Sequence, residues 1–326
     1  MHMINLGIVG YGNLGRGLET ALQHNPDYNL VAVFTRRNPE EIKTRTGAPV
    51  VSLNEVESYR GRIDVMVLCG GSASDLPEQG PMLAQWFNTI DSFDNHSHIP
   101  EYFAKVDLAA KSSGNLSLIS VGWDPGIFSL TRVLFNSALP SGTDFTFWGK
   151  GVSQGHSDAI RRIPGVVDAR QYTMPIDTAL KIARSGDPVK LTAREKHWRD
   201  CYVVAAPGAD QAEIRRQIVT MPDYFEPYET KVTFISAEEL AANHSGLPHG
   251  GFVIRNGETS PGKRQVMELK LTLDSNPEFT ASVLAACVRA VVRMKERGRT
   301  GAITIFDLAI GDLSPLSPET LRHDML

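Results

Sequence analysis

Gly10-Tyr11-Gly12-Asn13-Leu14-Gly15 is the stretch that decides the fold, because of what lies on either side of it. Before it, Ile4-Asn5-Leu6-Gly7-Ile8-Val9 is short and mostly apolar and reads as a buried strand. After it, Leu14, Leu18, Ala21 and Leu22 recur at helical spacing. A bare G-x-G-x-x-G pattern is common by chance, but between a strand and a helix it becomes a dinucleotide-binding turn. Gly10 permits the tight turn, Gly12 lets backbone approach a pyrophosphate, and Gly15 lets helix and strand pack closely. The helix N-terminus then offers free N–H groups to the anion.

The second predicted strand, Leu30-Val31-Ala32-Val33-Phe34, runs into Thr35-Arg36-Arg37, about twenty residues past the glycines. An NAD site usually carries Asp or Glu here for the ribose 2′-hydroxyl. Two guanidinium groups and a hydroxyl suit a 2′-phosphate instead, each charge-assisted bond contributing roughly 1.5–3 kcal/mol. The expectation is NADP over NAD, the alternative being arginines that merely solvate a surface loop.

At 326 residues the chain is long for one core and comfortable for two domains. Its 42% hydrophobic and 21% charged content is that of an ordinary soluble globular protein. A net charge of −4 gives no electrostatic reason to expect nucleic acid or an anionic membrane as partner. No apolar run approaches a transmembrane span, and no signal-peptide pattern precedes the first strand. Cys69, Cys201 and Cys287 are an odd, widely spaced set without metal-ligand pattern, which fits a reducing cytoplasm.

Strand signals continue at residues 63–69, 89–94 and 116–121, separated by helical stretches, which implies a doubly wound parallel α/β sheet of Rossmann type. Ligands in such sheets bind beyond the carboxyl ends of the strands. Those ends are Cys69-Gly70-Gly71-Ser72, Ser92-Phe93-Asp94 and Val121-Gly122-Trp123-Asp124-Pro125, all candidate cofactor contacts. From about residue 127 the pattern changes to strands at 144–148, 201–204, 231–235 and 266–273, with helices at 209–219 and 277–297. The expectation is a Rossmann domain over 1–126 and an α+β substrate and dimerisation domain over 127–298. Residues 301–308 read as a strand, and 299–326 are a candidate completion of the first domain.

The motif at Gly10–Arg16 joins others in order: Asp94-Asn95-His96, Gly122–Gly126, Phe147-Trp148-Gly149, Ser153–Ala159, Arg161–Gly165, Met221–Phe225 and Leu247–Gly251. Together they resemble the meso-diaminopimelate dehydrogenase family over nearly the whole chain. The resemblance implies NADP-linked oxidative deamination of the D-configured centre of meso-2,6-diaminopimelate to L-2-amino-6-oxopimelate, reversible as reductive amination in lysine and cell-wall precursor synthesis. It also supports a homodimer, with a larger assembly left open.

That substrate carries two ammonium and two carboxylate groups, so its pocket needs acceptors at one end and donors at the other. Asp94 and Asp124 end two strands beside the expected nicotinamide, where their carboxylates suit the reacting amine, and the resemblance puts both at the substrate. An Asx-turn at Asp94 and a turn start at Asp124 are the structural alternatives. Thr173, Arg199 and His249 match family positions at the distal, L-configured end. Arg199 is suited to a bidentate clamp on a carboxylate, or else pairs with Asp200 or another surface acid. Thr173 also fits a plain pre-proline strand position, and His249 reads as a loop residue. Trp148, Gln154, Gly155 and His156 are implied substrate contacts, with His156 in a Gly-rich loop where it would cap or orient backbone. Trp123 and Trp148 offer flat walls for an aliphatic chain, though core packing is the default role of tryptophan. Asn276, before Pro277, fits a helix N-cap, and the resemblance adds substrate contact.

The remaining alternatives are a homoserine-dehydrogenase-like or dihydrodipicolinate-reductase-like enzyme, and a non-catalytic NADP-binding sensor. The blocks at 147–165 and 221–225 argue against the first, and Asp94, Asp124 and Arg199 against the second.

Overall fold

Strand and helix alternate from the N-terminus in the computed structural model, which describes residues 3–187 and 189–326. The order is β1 (Ile4–Val9), α1 (Asn13–Gln23), β2 (Tyr28–Thr35), β3 (Val50–Ser52), β4 (Val65–Leu68), α2 (Leu76–Ala84), β5 (Asn88–Asp91), α3 (Ile99–Ser112), β6 (Leu116–Leu118) and α4 (Ile127–Ala138). Then follow β7 (Gly142–Trp148), β8 (Gly151–Val152), α5 (Gln154–Arg161), β9 (Val166–Pro175), α6 (Asp177–Ser185), α7 (Ala193–Lys196), β10 (His197–Ala205), α8 (Gln211–Val219), β11 (Glu229–Phe234) and α9 (Ala237–Asn243). The chain closes with β12 (His249–Ser260), β13 (Lys263–Leu273), α10 (Asn276–Glu296), β14 (Gly301–Ile303) and α11 (Pro318–Met325).

Two compact units result, one from residues 1–130 with 277–326, the other from 131–276. The first holds a seven-stranded parallel sheet in the order β14-β6-β5-β4-β1-β2-β3, whose direction of winding reverses between β1 and β4. Period-two alternation explains why both faces are covered. Leu6, Ile8, Val33, Val65 and Val67 point to one core with α1 and α10, while Val9, Ala32, Phe34, Met66 and Leu68 point to another with α2 and α3.

This packing corrects the domain assignment of α10. Its apolar residues Ala281, Leu284, Cys287, Val288 and Val291 lie in the core beneath β1, so it belongs with the first unit, not with 127–298. The expected strand over 301–308 is shorter. Gly301–Ile303 adds to the edge beside β6, and Thr304 and Asp307 then form a capping box that turns the chain into a short 3-10 helix.

The second unit contains two sheets. A mixed one, β11-β10-β9-β8, packs Ala169, Cys201, Val203 and Val232 against α5 and α8. An antiparallel one, β13-β12-β7, packs Phe145, Phe147 and Ile254 against α6. No helix among the described residues is long and apolar enough to cross a membrane.

Candidate functional site

The expected cofactor residues come together along one edge of the first unit's sheet, joined turn to turn by backbone hydrogen bonds. Gly10 N–H donates to Phe34 O at 2.9 Å, Cys69 N–H to Val9 O at 2.8 Å, and Val121 N–H to Asp91 O at 2.9 Å. Asp94 N–H donates to Ser72 Oγ at 3.0 Å, tying the loop after β4 to the loop after β5. Thus Gly10–Gly15, Thr35–Arg37, Cys69–Ser72, Ser92–Asp94 and Val121–Pro125 line the carboxyl ends of β1, β2, β4, β5 and β6.

The turn itself fits a dinucleotide. Gly10 has φ +91°, and a Cβ at Gly15 would lie 2.1 Å from the Gly10 carbonyl oxygen, so neither position admits a side chain without displacement. A Cβ at Gly12 would meet nothing within 4 Å, leaving the approach to the helix open. Helix α1 has no side-chain cap and no acid in its first turn, so its N–H groups and dipole favour an anion there.

Thr35, Arg36 and Arg37 surround the corner expected to hold the 2′-phosphate. Thr35 Oγ1 accepts the Arg37 N–H at 3.0 Å, and Arg37 Nη2 donates to the Tyr11 carbonyl at 2.9 Å. Arg36 pairs with Asp75, whose other carboxylate oxygen accepts the Gly71 N–H at 2.9 Å. Asp75 is absent from the sequence expectations; its place just before Leu76-Pro77 signals only a helix start. Behind the turn, Glu19 is fully buried in α1 and takes hydrogen bonds from the Tyr11 hydroxyl and from Thr46 N at 2.7 Å. Burial opposes its charge, but bonds from Thr46, Tyr11 and Arg45 outweigh it and hold the carboxyl below its usual range. The same burial and the Glu19 carboxylate push the Tyr11 phenol up to about 12. Burial likewise raises the Cys69 thiol to about 12, so it stays protonated at neutral pH.

Of the two candidate catalytic carboxylates, Asp94 is exposed and Asp124 half-buried. Both lie just beyond their strands, since β5 ends at Asp91 and β6 at Leu118. Trp123 is buried edge-on against Phe128 at 5.2 Å, which favours its packing role. Beneath these loops is Asp91, read in sequence only as part of a strand. Burial raises its pKa, against bonds from Ser120, Tyr102 and Phe93 that lower it.

In the second unit, β9 and β10 bring Thr173 opposite Arg199. Arg199 is 6% exposed and donates from Nη1 to Thr173 Oγ1 at 2.5 Å, with its guanidinium 3.9 Å above the Tyr228 ring. Its Nε has no hydrogen-bond partner, and among the described residues no carboxylate pairs with it. The expected alternative of a pair with Asp200 is therefore not the arrangement found. Burial lowers its pKa from the usual arginine value.

His156, expected in a loop, lies in the first turn of α5 because Ser153 caps that helix, accepting His156 N–H at 3.4 Å. Its Nδ1 also meets the Ser153 hydroxyl at 2.8 Å. Gln154 and Gly155 are exposed at the same helix start. His249, also expected in a loop, opens β12. Gly250 and Gly251 concealed that strand, but a Cβ on Gly251 would come 2.1 Å from Phe147 O, so glycine here marks a close neighbouring backbone. Gly151, paired with Thr173 across β8 and β9, lies directly under the His249 ring. Asn276 is the first residue of α10 instead of preceding it, and its N–H donates to Leu247 O at 2.9 Å.

His197 carries no motif of its own, although it stands two residues before Arg199. Its Nε2 accepts the Trp148 N–H at 2.9 Å, and its ring stacks on that indole at 5.6 Å. Burial, then the Arg199 charge, lowers His156 to about 4; burial, then Arg199 and Lys196, lowers His197 to about 3. Unfolded, both would titrate near 6.5, so below that pH the unfolded chain binds more protons than the folded one. Stability is full above about pH 6.5 and declines as pH falls toward 4. Thermal melts between pH 7 and 5 should show a falling Tm. In His197→Gln, whose amide oxygen is able to accept the Trp148 N–H, the decline should be shallower; an unchanged slope would remove His197 from this account.

The family model for the diaminopimelic acid dehydrogenase C-terminal domain matches residues 122–275. A meso-diaminopimelate D-dehydrogenase of Ureibacillus thermosphaericus is 58% identical over 326 residues, covering 100% of both chains. Among solved structures, Corynebacterium glutamicum DAP dehydrogenase in complex with DAP has a TM-score of 0.94 at 45% identity, covering 100% of each chain. An engineered D-amino acid dehydrogenase bound to NADP+ has a TM-score of 0.89 at 44% identity, covering 99% of this chain and 100% of its own. The open glycine turn and the buried arginine thus sit in a chain that matches its relatives from end to end, and it belongs to the meso-diaminopimelate D-dehydrogenase family.

Proposed function

We infer that this chain catalyses NADP-dependent oxidative deamination of the D-centre of meso-2,6-diaminopimelate, giving L-2-amino-6-oxopimelate, ammonia and the reduced cofactor. The observation that carries the reading is Arg199: a guanidinium 6% exposed, held by Thr173 and Tyr228, with its Nε unpartnered and no carboxylate paired with it among the described residues. A buried cation of that kind is costly unless an anion arrives to pair with it. A substrate carboxylate is that anion, gripped in a fork.

In this reading Arg199, Thr173, His249 and Asn276 hold the distal L-end, while Trp148, Gln154, Gly155 and His156 border the chain. A neutral His156 lets Arg199 act as the local positive charge without a second cation beside it. Asp94 and Asp124 receive the reacting amine and are the proposed acceptors of its proton. NADP, when bound, supplies the hydride acceptor. Loss of a hydride from the α-carbon and a proton from the amine leaves an imine, which water hydrolyses to the ketone. Residues 10–15, 35–37, 69–72, 92–94 and 121–125 are the proposed cofactor contacts, with Thr35, Arg36 and Arg37 at the 2′-phosphate.

The first unit is proposed as the NADP-binding domain and the second as the substrate and association domain of a cytoplasmic homodimer. The test is absorbance at 340 nm with NADP and meso-diaminopimelate. Steady formation of NADPH is expected; NADP binding without turnover of this substrate or any simple D-amino acid would favour the sensor.

A further inference from the structure

Asp91 is the last residue of β5 and is 1% exposed. Its Oδ1 accepts two backbone N–H groups from different loops, Phe93 at 3.0 Å and Ser120 at 3.0 Å. Its own carbonyl accepts the next N–H of the second loop, from Val121, at 2.9 Å. Its Oδ2 takes the Tyr102 hydroxyl at 2.6 Å. One buried carboxyl therefore gathers the segment leading directly into Asp94 and the segment leading into Asp124.

Three further observations show that this arrangement is built. Ser120 has φ +57°, a left-handed conformation unusual for a residue with a Cβ, and its own hydroxyl is buried without a hydrogen-bond partner. That segment is thus held in its strained shape by the groups receiving its backbone, not by its side chain. The Tyr102 ring stacks on Phe93 at 4.2 Å and 18°, so the same tyrosine steadies both the carboxyl and the first loop. Finally, a Cβ at Gly80 of α2 would lie 2.1 Å from the Tyr102 hydroxyl oxygen. Glycine there makes the room that lets the phenol reach Asp91.

We propose that Asp91 is a positioning residue for the reaction, fixing the loops that carry Asp94 and Asp124 to one point beneath the substrate amine. This rests on the reading of Asp94 and Asp124 given above. A carboxyl offers two acceptor oxygens, and here they meet three donors, two backbone N–H groups and one phenol. Asparagine keeps the oxygen that takes Phe93 and Ser120 but presents N–H groups to Tyr102; alanine removes every side-chain acceptor.

The test is steady-state kinetics of full-length Asp91→Ala, Asp91→Asn and Tyr102→Phe, with NADP binding followed by protein fluorescence and folding by circular dichroism. A misplacement of about 1 Å costs on the order of a hundredfold in rate. Asp91→Ala should therefore lose about a hundredfold in kcat, with KM for meso-diaminopimelate and Kd for NADP changed by less than about tenfold. Asp91→Asn should recover most of that kcat. A folded Asp91→Ala with parental kcat, or an Asp91→Asn as slow as alanine, overturns the proposal. Should Asp91→Ala not fold, Tyr102→Phe and Gly80→Ala decide it: each should lower kcat more than it raises KM, and parental kcat in both overturns it. Asp94→Ala and Asp124→Ala run alongside separate the two readings. Full activity in both removes their assigned role, whereas inactivity in them beside a folded, fully active Asp91→Ala removes only the positioning role.

Discussion

Arg199→Ala should raise KM for meso-diaminopimelate by roughly thirtyfold to several thousandfold while leaving the Kd for NADP nearly unchanged. The magnitude follows from the ~2–5 kcal/mol typically lost when one partner of a buried, hydrogen-bonded charge pair is truncated. Arg199 qualifies because it is enclosed by β9, β10 and the Tyr228 ring, where solvent screens it little. The effect should fall on binding, since the substrate group that Arg199 is proposed to hold is remote from the carbon that reacts. Arg199→Lys is not a conservative control. A point charge would still attract a carboxylate but would lose the planar fork and the stacking on Tyr228, so a loss of tenfold or more is expected there too. Initial rates across substrate concentration, with NADP saturating, give the answer; a KM within threefold of the parent for alanine would remove Arg199 from the substrate.

Arg36→Ala should shift cofactor preference, lowering the ratio of kcat/KM for NADP to that for NAD by about one to two decades. Its side chain is 65% exposed, so solvent screening brings the contribution down from the ~1.5–3 kcal/mol of a charge-assisted bond to its lower end or below, about one decade at most from this contact alone. Asp75 sharpens the prediction. With Arg36 present its carboxylate is neutralised; without it, a negative charge faces the proposed 2′-phosphate across the same corner. NAD, lacking that phosphate, should bind almost as before. An unchanged ratio would mean that Thr35 and Arg37 suffice or that the corner holds no phosphate.

The parallel sheet was legible because its evidence is local: an apolar strand, a glycine turn and a helix in immediate succession. The helix over 277–297 was equally legible, but not its allegiance, since a helical stripe does not say which core it covers. Glycine misled the reading of β12. Pairs such as Gly250-Gly251 usually signal a turn, and here they serve contact with a neighbouring strand. Asp91, Asp75 and Glu19 were invisible for a common reason. Each has a decisive partner far off in sequence, 29, 39 and 27 residues away, and only the fold brings that donor to the acceptor. His197 carried a weak signal, its nearness to Arg199, but nothing in sequence distinguishes a histidine that accepts a backbone N–H from one that faces solvent.

The route of α10 back into the first unit has a consequence for synthesis on the ribosome. A nascent chain halted before Pro277 has already made β1, β2, β4 and α1, yet the faces of Leu6, Ile8, Val33 and Val65 still lack the second of the two helices that cover them. The portion translated earliest is therefore the last to be sealed from water. Until then its half-covered apolar side is the kind of surface that favours aggregation, and a chain ending short of α10 leaves that core open to water.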